Sequence, residues 1–175
     1  MLHFPVSHLA RSPLVATLIC LLALPFASMP VQAQSSEASV TIARVKYGGG
    51  GDWYSDEQSL PELLSFVRQN TLLDVAPDAE TVELTSDNLF SYPYLYLTGH
   101  GNINLSPTEV ERLRQYLLGG GFLHIDDNYG LDEHVRRELS TVFPDRELEE
   151  IPFDHPIYNT RYSFPDGLPK IHEHD

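Results

Sequence analysis

The feature that most constrains this chain is a strand, a capped helix and a second strand in unbroken succession between Tyr92 and Asp127. Tyr92 to Thr98, "YPYLYLT", is almost continuously apolar, the mark of a strand covered on both faces rather than one that alternates. Ser106 then stands three residues before Glu109 with Pro107 between them, the spacing of a reciprocal N-terminal cap with proline at the first helical position. Val110, Leu113 and Leu117 repeat at helical period, and Gly119 to Gly121 end the helix. Phe122 to Asp126, "FLHID", reads as a second buried strand, with Asp127 beginning a turn.

The same alternation runs outward in both directions. Upstream, Val40 to Tyr47 predicts a strand and "GGGGDWYSDEQ" a loop. A helix is expected from Ser59, where Ser59 and Glu62 have capping-box spacing and Leu60, Leu63, Leu64 and Val67 form one stripe; Thr81 to Thr85 is expected as a short strand. Downstream, Leu131, Val135, Leu139 and Val142 mark a helix that stops before Pro144, and Leu148 to Ile151 is expected as a further strand. Strands alternating with helices of this length predict an α/β three-layer sandwich with a mainly parallel sheet. In such folds ligands bind beyond the carboxyl ends of the strands. The polar clusters "GGGGDW", "TGHG" and "HIDDNYG" all fall there.

The N-terminus has a separate logic. Leu14 to Ala27 is a 14-residue apolar run, short for a bilayer span and followed by Val31-Gln32-Ala33, small residues suited to cleavage. Residues 1–33 are therefore expected to be a signal peptide, 34–39 a polar leader and 40–175 one α/β domain of an exported protein, periplasmic or secreted, with no stable membrane insertion after cleavage. Cys20, the only cysteine, would leave with the signal peptide, so the mature chain would hold no disulfide, thiolate ligand or cysteine nucleophile. Losing residues 1–33 removes Arg11 and no acid, which takes the charge from −14 to −15. With Lys46 and Lys170 as its only lysines, such a surface repels nucleic acid.

Several motifs together resemble a bacterial family, domain of unknown function 4159: "YGGGGDWY", "YPYLYLTGHG", "LRQYLLGGGFLHIDD", "DHPIYN" and "KIHEHD". The resemblance implies a class I glutamine amidotransferase-like, flavodoxin-like fold. It also implies a domain incomplete at its C-terminal end, since that family continues past "KIHEHD". True amidotransferases place a cysteine on the strand-to-helix turn. Here the comparable turn is "HIDDNYG", which holds carboxylates and no thiol.

The candidate site residues follow from position and chemistry. His100, His124, Asp126 and Asp127 are the candidate catalytic groups: His124 and Asp126, two apart on a strand, share a face, where a carboxylate orients an imidazole or both hold a divalent metal. The structural alternative is that the aspartates cap the helix opening near Leu131. Candidate metal ligands are His124, Asp126, His172 and His174. Gly49, Gly50, Asp52, Trp53 and Tyr54 are candidate ligand contacts, with the aromatic pair suited to a sugar or another flat molecule, or to plugging the core. No nucleotide is expected, because "GGGGDW" lacks the third glycine of a dinucleotide turn and no Gly-Lys-Ser/Thr follows. Two functions fit: a binding domain for a small polar or carbohydrate ligand, or a hydrolase, metal-dependent or not, using the His/Asp cluster.

Overall fold

Four of the five strand-like runs find partners in one sheet, and the order of pairing sets where the site can be. The computed structural model describes residues 39–168. Four strands, β1 (Ile42–Val45), β2 (Glu80–Val82), β3 (Tyr94–His100) and β4 (Phe122–Tyr129), pair in the order β2-β1-β3-β4, all parallel. Helix α1 (Ser59–Asn70) joins β1 to β2, α2 (Pro107–Leu118) joins β3 to β4, and α3 (Asp132–Val142) follows β4.

The chain steps one way through α1 and the opposite way through α2. With right-handed crossovers this puts the two helices on opposite faces of the sheet. The two buried clusters divide accordingly. Ile42 and Tyr96 pack with Leu60 and Leu64 of α1. Ala43, Val45, Leu95 and Leu97 pack with Val110 and Leu113 of α2 and with Val135 and Val142 of α3. Alternate residues of β1 and β3 thus serve opposite cores, which is why β3 reads as a nearly unbroken apolar run. Leu60 and Leu64 are the fully buried anchors of α1, each contributing roughly 1.5–3 kcal/mol by leaving water. The result is a three-layer, flavodoxin-like α/β sandwich whose winding direction reverses between β1 and β3.

Four local expectations are corrected. Ser59 does not cap α1: the helix starts at Ser59 after Gln58 with no side-chain cap, and the Ser59 hydroxyl donates back to the Asp56 carbonyl at 2.8 Å. The second strand covers Glu80–Val82 rather than 81–85, because β1 supplies only three partners. Leu148 to Ile151 pairs with no strand among the described residues and is irregular, exposed chain. β4 is neither short nor buried. It runs through the expected turn to Tyr129, held by β3 as far as the pair His100–Tyr129, and as the outer strand it leaves Phe122, His124 and Asp126 exposed. The Ser106–Glu109 capping box and the proline at the start of α2 form as expected.

Candidate functional site

The carboxyl ends of β1 and β3 meet where the winding reverses, and both continue into glycine-containing loops. These loops zip together. Asn104 N–H donates to the Gly48 carbonyl at 2.9 Å, and Gly51 N–H donates to the Asn102 carbonyl at 2.8 Å. Gly49 is spent on this contact, since a Cβ there would collide with the Asn104 backbone, whereas Gly50 faces open space.

The zipped loops deliver Asp52 to the end of β3. One Asp52 oxygen accepts the His100 backbone N–H at 2.5 Å, and the other lies 3.0 Å from His100 Nδ1. The residues are 48 apart in sequence. Gly99 makes the approach feasible: its φ is +145°, and a Cβ there would fall on Tyr47 Oη and within 3.1 Å of Asp52. The His100 backbone N–H holds the Asp52 carboxyl below its ordinary range, helped by the imidazole's hydrogen bond and charge and opposed by desolvation. Tyr47, which donates to the Thr98 carbonyl at 3.1 Å, has its hydroxyl pushed up to about 12 by burial and then by the nearby Asp52 charge. It stays a neutral donor. With Nδ1 directed at Asp52, Nε2 of the half-exposed His100 has no partner among the described residues.

A second set of contacts holds this loop in place, and the sequence offered little sign of it. Asp56 has φ +55°, the left-handed region that non-glycine residues seldom enter. Its carboxylate accepts from Thr98 Oγ1 on β3 at 2.9 Å and from Asn128 Nδ2 on β4. The buried Arg44 of β1 donates to the carbonyls of Ser55 at 2.7 Å and Asp56 at 3.0 Å. Three strands therefore pin one turn. The only hint in the sequence was a cation, Arg44, inside an otherwise apolar strand.

The cluster at the end of β4 divides. Asp127 Oδ1 accepts from Leu131 N–H at 2.8 Å and fastens the turn that leads into α3, although the helix itself has no side-chain cap. Asp126 takes no part in that turn. It accepts from Tyr96 Oη at 3.0 Å, while His124 Nδ1 pairs with Tyr94 Oη at 2.7 Å. His124 and Asp126 share a face but engage tyrosines rather than each other. Among the described residues no three His, Cys, Asp or Glu side chains converge as a metal set; His172 and His174 lie outside the described residues, as do Cys20 and the segment expected to be a signal peptide. Trp53 packs half-buried against the larger core, and Tyr54 stands edge-on to it at 5.6 Å, exposed. None of the helices among the described residues is long and apolar enough to cross a membrane.

Chemically, the rim presents a carboxylate-oriented imidazole with one open nitrogen, flanked by glycines. Among the described residues no hydroxyl nucleophile is paired with that imidazole. The chain belongs to the family described as Domain of unknown function (DUF4159), whose model matches residues 41–175. No curated protein matches it.

Proposed function

We propose that this chain is an exported, periplasmic or secreted domain of glutamine amidotransferase-like fold that has lost the catalytic cysteine. In this reading it binds a small polar or carbohydrate ligand at the carboxyl ends of β1 and β3. The observation that carries the reading is the Asp52–His100 pair at the reversal point of the sheet, with Nε2 open. The absence of a nucleophile beside His100, among the described residues, favours binding over covalent chemistry. Export rests on the apolar run Leu14 to Ala27 and the small residues closing it.

Calorimetric titration of the mature protein with a panel of sugars, polyols and amino acids tests this. A ligand that binds wild type and is lost in His100→Ala supports the reading; a panel in which no binding depends on His100 contradicts it. A hydrolase is the second reading, favoured by the carboxylate-oriented imidazole, which is also how a general base for water is built. Turnover of ester, glycoside or phosphodiester substrates that disappears in His100→Ala, measured with and without divalent metal, would select it.

A further inference from the structure

The outer part of the sheet carries a second built surface, on the α1 side and separate from the rim. β3 and β4 place Tyr94 beside Phe122, Tyr96 beside His124 and Thr98 beside Asp126. These residues line one face, and at β4 it stays open: Phe122 is 52% exposed, and His124 and Asp126 are exposed. The rings of Tyr94 and Phe122 lie 5.1 Å apart at a 33° tilt, making a continuous apolar shelf. His124 stands edge-on to both tyrosines, at 6.1 Å from Tyr94 and 5.4 Å from Tyr96.

The tyrosines also settle which polar atoms remain. Burial pushes the Tyr94 hydroxyl up to about 12, so it stays a phenol 2.7 Å from His124 Nδ1; a phenol donates better than it accepts, and against a neutral imidazole it takes the donor's part. The imidazole proton then sits on Nε2, facing outward as a donor. Tyr96 Oη donates to one oxygen of Asp126, leaving the other oxygen as an outward acceptor. Neither outward atom has a partner among the described residues. A donor thus stands next to an acceptor, at the end of an aromatic shelf.

That pairing discriminates between ligand charges. An ammonium ion has only donors and cannot satisfy His124 Nε2–H. A carboxylate or phosphate has only acceptors and meets the Asp126 charge. A pair of hydroxyls both donates and accepts, and the C–H face of a sugar ring is an apolar plane suited to Phe122 and Tyr94. The four residue steps from Phe122 to Asp126 span about 13 Å at strand rise, room for a short oligosaccharide.

We propose that Phe122, Tyr94, His124 and Asp126 form a subsite for a neutral oligosaccharide on the open face of β3 and β4, independent of the Asp52–His100 rim. The test is titration calorimetry of the full mature chain with cellohexaose, maltohexaose, hexa-N-acetylchitohexaose and, as the anionic control, hexagalacturonic acid. At least one neutral sugar is expected to bind. Its affinity should fall about tenfold or more in Phe122→Ala and in Asp126→Asn, and stay unchanged in His100→Ala. His124→Gln supplies a second polar variant if Asp126→Asn melts early. Binding of none of the neutral sugars, equal binding of the anionic one, or binding indifferent to Phe122 and Asp126 overturns the subsite. Loss of sugar binding in His100→Ala alone would assign the sugar to the rim, removing the subsite while leaving the rim reading intact.

Discussion

Replacing Gly99 by alanine tests whether the rim is held by close backbone packing. The residue sits at φ +145°, and holding a non-glycine residue in such a region costs about 1–3 kcal/mol. The new Cβ would fall on Tyr47 Oη, so Tyr47 must move and its bond to the Thr98 carbonyl must break, a further loss of about 0.5–1.5 kcal/mol. Together these predict a destabilisation of about 1.5–4.5 kcal/mol. At a urea slope of about 2 kcal/mol/M, the midpoint should drop by about 0.8–2.2 M, read by the fluorescence of the single tryptophan, Trp53. Because the same Cβ crowds Asp52 at 3.1 Å, the Asp52 carboxyl should also titrate nearer its ordinary range. Gly101→Ala separates strain from collision: Gly101 has φ +76° but nothing within 4 Å of a Cβ, so it should cost only about 1–2 kcal/mol and leave Asp52 unmoved. A Gly99→Ala protein with an unchanged midpoint, or one no less stable than Gly101→Ala, would refute the reasoning.

Three further outcomes are expected. Asp127→Ala removes the acceptor for Leu131 N–H and should cost about 1 kcal/mol in urea unfolding, whereas Asp127→Asn, which keeps an oxygen there, should recover most of it. The depressed Asp52 carboxyl implies stability that is complete above the unfolded value of about 3.9 and is lost as pH falls through the lower folded value. The stability difference between wild type and Asp52→Asn should therefore shrink below about pH 4, as urea midpoints from acid to neutral pH would show. Leu64→Ala empties a fully buried position between α1 and the sheet and should lower stability by about 2–5 kcal/mol, with a calorimetric melting shift to match.

What was legible in the sequence was local. α2 announced itself because its cap, proline and stripe all lie within one stretch, and β3 because a strand covered twice carries apolar residues on both sides. β4 misled because edge position is a property of sheet order, which "FLHID" does not encode; the same string at the centre of a sheet would be buried. The Ser59–Glu62 spacing misled for a different reason. Arg44 and Thr98 hold the preceding turn from other strands, so α1 begins one residue earlier than its own capping signal implies. Asp52 and His100 each stood out as polar residues at strand ends, yet their mutual contact depends on two loops zipping together and on a glycine between them and the core. Asp56, Thr98 and Asn128 gave no local signal, because their roles exist only once β1, β3 and β4 are side by side.

The functional reading depends on Asp52 fixing the His100 imidazole with its proton on Nδ1 and Nε2 open at the rim. Long-range ¹H–¹⁵N spectra of labelled protein above pH 8 report that tautomer directly. Wild type should show His100 protonated at Nδ1, and Asp52→Asn should shift it toward the Nε2-protonated form common in free histidine. An Nε2-protonated or freely averaging His100 in wild type, unchanged by Asp52→Asn, would contradict the account.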